Sequence, residues 1–297
     1  MAIVERNVIN HSRLYPQQVW DRTPAPHHVG LALGGGAARG FAHIGALEVL
    51  EEAGIPVHMI AGCSSGAIVG ALFAAGIPAR EQHDLVRDMR WTTVSSLSLL
   101  PSRRSILHPS LKGFPLGVLD LDKLIDWLQQ AMGDVRDFHH LQIPFAAVAT
   151  DITSGDLVIM NDGEVGPAVR ASCSVPGVFT PFRRGDRLLV DGGVIANLPV
   201  EVVQQMGAEY VIAVDLLPPP SEQGKEPVNI VDLSFTSIYS LIRANQGYSA
   251  KADCTITPDI GAYSLMDLGA GEELIAAGRA AAEASLPMIR RDLMLDV

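Results

Sequence analysis

The chain is short of positive charge, of paired cysteines, of late histidines and of long apolar runs, and each shortage closes a class of function. Lys and Arg number 22 against 33 Asp and Glu, a net charge of −11 over 297 residues with histidine neutral. A surface of that sign does not gather phosphodiester backbone or dock by polybasic attraction to anionic lipid. Nucleic acid is therefore excluded as a partner, and only local, transient apolar contact with a membrane or micelle surface stays open. Three cysteines, Cys63, Cys173 and Cys254, are an odd number without CxxC spacing. Neither a complete disulfide framework nor a four-cysteine zinc site can be built from them, and reduced thiols in a cytoplasm fit best. The N-terminal residues are charged and polar where an export signal needs its apolar stretch. The most apolar run, Ala67 to Ala75, is bounded by Gly66 and Gly76 and is too short to span a bilayer.

What is present is enough apolar material for a large core: 48% of residues are hydrophobic and 19% charged. Residues 1–27, with Pro16, Pro24 and Pro26, show no sustained period and read as an N-terminal arm; 28–297 read as one domain. VGLAL is a buried strand leading through Gly34, Gly35 and Gly36 into a helix with Phe41, Ile44, Leu47 and Leu50 on one amphipathic face. VHMIAG and AIVGALFAAG repeat the strand-to-helix pattern, FAAVATDI and DLVIMNDG form a hairpin, and RLLVDGG and EYVIAVDLL are further strands. Strands alternating with helices predict an α/β fold, a three-layer sandwich with a mostly parallel central sheet. The stretch 91–120 breaks the rhythm. It reads either as a cap or lid over a cleft, with Leu97, Leu99, Leu100, Leu107 and Phe114 as an acyl-binding or interfacial surface, or as an irregular surface excursion.

Three motifs carry chemistry. Gly62-Cys63-Ser64-Ser65-Gly66 is a G-x-S-x-G turn between a short apolar strand and a small-residue helix, the setting that lifts a serine hydroxyl out of a sheet. Such a serine needs a base, and none of the nine histidines lies beyond His140. The order Ser, then a carboxylate in the second half of the chain, then a later His is therefore impossible, so either an earlier histidine or a carboxylate serves. Asp191, at the end of an apolar strand and followed by Gly192 and Gly193, supplies such a carboxylate, although Asp-Gly is also a common turn. Gly34 to Gly40 is the third motif. It fails as a dinucleotide fingerprint because Arg39 stands where a glycine is required, and as a phosphate loop because Phe41 stands where a lysine is required. What remains is a run of amides at a helix start, suited to an oxyanion, with the Arg39 charge nearby. His43 follows on the helix surface and could help place that loop. Ser172 and Ser174 are expected to shape a pocket floor. The pairs His27-His28 and His139-His140 lack metal-ligand spacing, so neither metal nor cofactor is expected.

In their order and spacing these motifs resemble those of the bacterial patatin-like phospholipases, over roughly Val29 to Leu216. The resemblance implies a patatin-like fold related to cytosolic phospholipase A2, and a serine acyl hydrolase, phospholipase or carboxylesterase, acting on lipid or small ester substrates. It implies Ser64 as nucleophile and Asp191 as base, an oxyanion hole from Gly34, Gly35, Gly36 and Ala37, and support from Arg39, Gly62, Gly66, Gly192 and Gly193. Cys63 departs from the threonine common before the serine. A catalytically silent or acyl-transferring member of the fold is the alternative left open.

Overall fold

Apolar five-residue runs make the centre of the sheet, and small-residue turns start the helices that cover it. The computed structural model describes residues 28–87, 89–98, 116–217, 226, 230–245 and 251–295. The N-terminal arm, and Leu99, Leu100, Leu107 and Phe114 of the cap stretch, lie outside them. β1 (Val29–Leu33) leads through a 3-10 turn at Ala37–Gly40 into α1 (Phe41–Glu52), and β2 (Met59–Cys63) into α2 (Ser65–Ala74). α3 (Ala79–Val86), α4 (Trp91–Val94), β3 (Ser96–Leu97) and β4 (Gly117–Asp120) precede α5 (Asp122–Met132). The hairpin β5 (Phe145–Asp151) and β6 (Asp156–Met160) is followed by α6 (Val165–Ser172), β7 (Gly177–Phe179), β8 (Phe182–Arg184) and β9 (Arg187–Asp191). Then come α7 (Gly193–Ala196), α8 (Val200–Gln205), β10 (Tyr210–Val214), α9 (Ile230–Asn245), β11 (Cys254–Ile256) and α10 (Gly271–Asp292).

The main sheet runs β11-β10-β1-β2-β5-β9-β8, with β6 on β5, and it is parallel from β11 to β5. Its central strands β1, β2, β5 and β10 are buried on both faces and alternate between two apolar layers. Val29, Leu31 and Leu33 of β1 join the larger core with α1, α2 and α10, whereas Ala32 joins Ala61, Val211 and Ala213 under Val200 and Val203 of α8. Helices on both faces of a mostly parallel sheet are the predicted three-layer architecture. β3, β4 and β7 form a small separate sheet.

The first helix differs from its predicted amphipathic form. α1 is buried from Phe41 through Leu47 and again at Val49 and Leu50, because α10 packs along its outer side. The two helices touch at glycines. A Cβ on Gly45 would run into the Ile275 carbonyl, and one on Gly278 into the Ala42 carbonyl. Overpacking of this kind costs typically 1–3 kcal/mol, so Gly45→Ala and Gly278→Ala are each expected to lower the melting temperature by roughly 5 °C. Shifts under about 1 °C in calorimetry would show that the pair need not approach so closely.

The sheet also explains how two distant segments meet. β2 runs parallel to β5 and ends with Cys63 opposite Val148; β9 runs antiparallel to β5 and ends with Asp191 opposite Ala149. β6 occupies the other edge of β5 over the same residues, so β2 and β9 run toward each other along one edge and stop at adjacent rungs. The sequence reading placed Asp191 at the C-terminal edge of parallel strands. It reaches that level on a strand running the opposite way, a direction that an apolar run does not encode.

Candidate active site

Ser64 sits where β2 breaks into α2, with φ 52° and ψ −122°, a conformation a non-glycine residue holds only under local constraint. The constraint is visible. Ser64 N donates to Ser172 Oγ at 2.9 Å, the Ser64 carbonyl accepts from the amides of Ala67 and Ile68, and a Cβ on Gly66 would strike the Leu33 carbonyl. Gly62, on the other side of Ser64, is pressed against Gly66 and Ala67 backbone.

Asp191 faces this turn from the end of β9. Its amide donates to the Ser174 carbonyl at 2.9 Å, and its Oδ1 accepts from Gly193 N at 2.8 Å and from Cys63 Sγ at 3.6 Å. Its Oδ2 is buried without a hydrogen-bond partner among the described residues. Burial pushes the carboxyl pKa up to about 6, against the pull of the Gly193 amide and of the Ser64 and Cys63 side chains. Ser64 is thus close enough to lower that pKa while making no hydrogen bond to Oδ2 in this structure. Gly192 lies against the Val148 carbonyl. Cys63 is buried, and its thiol is pushed well up by burial and by the Asp191 charge, which keeps it protonated beside Ser64.

The glycine loop lies on the other side of Ser64, and most of its amides are already engaged. Gly34 N donates to the Val214 carbonyl and Gly35 N to the Asn197 carbonyl, each at 3.1 Å, and Gly36 N donates to Ser65 Oγ at 3.1 Å. Ala37, at φ 49°, has an amide with no acceptor among the described residues. His43 is not on the helix surface as expected. It is fully buried, and since a carbonyl only accepts, its Nε2–H donates to the Gly34 carbonyl at 2.7 Å. Burial holds it neutral, with a pKa lowered to about 4, so it positions the loop and is no base. Arg39 meets no acid among the described residues; it donates to the Tyr263 carbonyl at 2.8 and 3.1 Å and to the Gly261 carbonyl at 3.3 Å, tying the loop to the segment before α10.

A narrow cleft opens beside Ser64, walled by apolar groups that include Ile68, Trp91, Leu121, Leu124 and Phe179. Trp91 and Val94 bring the described start of the 91–120 stretch to this wall, while Leu97 is 60% exposed and stands away from it. Among the described residues, no histidine lines the cleft.

The patatin-like phospholipase family model matches residues 31–203, more than half of the chain. The chain belongs to that family, a family of lipid hydrolases. It is 38% identical over 188 residues to an uncharacterised NTE family protein of Mycobacterium tuberculosis, covering 63% of this chain and 49% of that protein. It is 35% identical over 191 residues to human patatin-like phospholipase domain-containing protein 6, covering 63% of this chain and 13% of that one. The chain therefore spans half or less of these relatives. Among solved structures, VipD from Legionella pneumophila superposes with a TM-score of 0.53 at 15% identity, over 90% of this chain and 67% of that chain, a likeness of fold.

Several residues that shape the site were not singled out by sequence reasoning. Ser65 occupies the Gly36 amide, and Asn197 carries the glycine loop on both its carbonyl and its side-chain amide, the latter donating to the Gly35 carbonyl at 3.3 Å. Asn197 stands in the VIANLP stretch just after the Asp-Gly-Gly motif. That proximity was the only signal for it.

Proposed function

We propose that the protein is a serine acyl hydrolase of lipid esters that works through Ser64 and Asp191 and a covalent acyl-enzyme. The observation that carries this reading is the buried Asp191 carboxylate beside the constrained Ser64, with one oxygen lacking any partner and an apolar cleft in front. In the reading, Asp191 accepts the Ser64 proton as the oxygen attacks the ester carbonyl, and passes that proton to the departing alcohol. Asp191 then takes a proton from water, whose oxygen attacks the acyl carbon; Ser64 leaves and recovers its proton. A pKa near 6 suits a base at neutral pH far better than an ordinary aspartate near 3.9.

The four amides first proposed for the oxyanion narrow to two. Gly34 N and Gly35 N are spent on backbone carbonyls, leaving Ala37 N, and Gly36 N once the Ser65 hydroxyl turns away. Each donor is worth about 3 kcal/mol when aimed at the developing charge. The cleft takes the acyl chain. Exposed Leu97, Leu116 and Val118 give the antiparallel pair β3 and β4 an apolar rim suited to transient contact with a lipid surface.

Treatment with a fluorophosphonate followed by tryptic mass spectrometry tests the reading. The added mass is expected on Ser64 and absent from Ser64→Ala. A folded protein left unlabelled would mean that the fold is kept without an activated serine.

A further inference from the structure

Ser64 and Cys173 line the acyl cleft, whereas Asp191 does not. Asp191 is 5% exposed, and a cover over it comes from α9, beyond the stretch 31–203 that carries the family match. Ile242 Cδ1 and Asp191 Oδ1 converge on Gly193: a Cβ there would stand 3.2 Å from the first and 3.0 Å from the second. Gly193 N is also the donor to that oxygen, at 2.8 Å. Tyr239, three residues before Ile242 and on the same helix face, is likewise buried, while Leu233, Ser237 and Leu241 are exposed on the other face. Near the start of α9, Ser234 lies against β7, where a Cβ on Gly177 would stand 3.9 Å from its own. The helix thus runs from β7 to the turn after Asp191.

The groups that face the Asp191 carboxylate add no charge to hold it. Cys63 at the end of β2, Cys173 after α6 and Tyr239 on α9 are each pushed up by burial and then by the Asp191 charge, so all three are neutral at neutral pH. Arg39 is within electrostatic reach of Tyr239 and of Arg243 and donates to the Tyr263 and Gly261 carbonyls. The Gly193 amide and the Ser64 and Cys63 side chains favour the ionised form of Asp191, and burial opposes them and prevails. With Oδ2 lacking a partner among the described residues, water admitted to this oxygen would change the balance more than any neighbour present.

We propose that Tyr239 and Ile242 are positioning residues for acyl transfer: packed over Asp191, they keep water from its carboxylate, so that α9 sets how readily it takes the Ser64 proton. The proposal rests on the acyl hydrolase reading and deepens it. The three glycine-bearing motifs place nucleophile, base and oxyanion donors, and the dryness that makes an aspartate a useful base at neutral pH comes from a helix outside them.

The test is the pH dependence of fluorophosphonate labelling of Ser64, with each variant read as a fraction of its own plateau rate. Partial unfolding scales a plateau without moving the midpoint of its acid limb. Ile242→Ser and Tyr239→Ala admit water and are expected to move that midpoint from pH about 6 to about 5. At pH 5 each should label at about half of its plateau rate, against about a tenth in the parent. Ile242→Leu and Tyr239→Phe keep the apolar cover and should hold the midpoint within about 0.3 pH unit of the parent. A midpoint that stays at about 6 in either Ile242→Ser or Tyr239→Ala overturns the proposal. So does a Tyr239→Phe midpoint displaced as far as that of Tyr239→Ala, since the hydroxyl and not the cover would then be responsible. An unlabelled parent, or an acid limb that survives in Asp191→Asn, removes the Ser64–Asp191 reading and this inference with it. A limb that Asp191→Asn abolishes, unmoved by the cover variants, removes this inference alone.

Discussion

Asp191→Asn is expected to slow hydrolysis of a short soluble ester by about 10²–10⁴-fold, the range that a positioned general base contributes. Asparagine keeps the oxygen that accepts the Gly193 amide, so the turn after β9 should hold while the basicity is lost. In the parent, kcat/KM should rise about tenfold per pH unit up to pH about 6 and stay flat above it, because the carboxylate must be ionised to take a proton and its pKa lies there. Near-native turnover in Asp191→Asn, or a limb centred well above pH 7, would remove Asp191 from the role. Among the described residues, no histidine faces the cleft to take it over.

The same carboxylate links activity to stability with a definite sign. Its folded pKa is raised from 3.8 to about 6, so between these values the folded state holds more protons than the unfolded one. Stability from this group is complete below pH 3.8 and is lost as pH rises through about 6. At neutral pH the buried charge costs about 3 kcal/mol, the free-energy equivalent of that rise. Asp191→Asn should therefore melt higher than the parent at pH 7–8, and the difference should vanish near pH 4. An inactive variant that is also more stable is the behaviour of a site held in strain for its chemistry, as the positive φ of Ser64 also indicates.

Much of this site was legible because small residues at strand ends are local signals. Gly62, Ser64 and Gly66 mark a crowded turn wherever they follow a short apolar strand, and Asp191 with two glycines marks another. What escaped the sequence depends on partners far along the chain. The direction of β9 is set by its pairing with β5 across intervening segments, and an apolar pentapeptide looks alike in either direction. α1 looked amphipathic because the helix that covers its outer side, α10, lies more than 200 residues later. His43 was misplaced because its ring turns inward to the Gly34 carbonyl of the preceding loop, a contact that helix periodicity does not show. The engaged amides of Gly34 and Gly35 depend on Val214 and Asn197, which no local pattern connects to a glycine loop.

Arg170→Met is expected to cost about 3 kcal/mol, because it leaves the Ser174 hydroxyl and the Thr180 carbonyl without their donor and removes the charge that pairs with Asp120 and Asp122. Arg170 is 2% exposed on α6. It donates to the Thr180 carbonyl at 2.7 Å, to Thr180 Oγ1 at 2.8 Å and to Ser174 Oγ at 2.9 Å, and pairs with Asp120 at 3.2 Å and Asp122 at 3.3 Å. Burial alone would raise the Asp120 pKa, but hydrogen bonds from Thr180 and the Asp122 amide and the Arg170 charge outweigh it and hold it below the usual value. This network fixes the turn from Ser172 to Ser174, on which both proposed catalytic residues hang: Ser64 N on Ser172 Oγ, and Asp191 N on the Ser174 carbonyl. Loss of Arg170 should thus lower the melting temperature by roughly 10 °C and, at a temperature where the variant is still folded, slow fluorophosphonate labelling of Ser64. Arg170→Lys keeps a charge but not the fork that reaches Ser174, Thr180 and both aspartates at once, so it should recover less than half of the lost stability. A methionine variant melting within about 2 °C of the parent would show that the turn is held by its own backbone and not by Arg170.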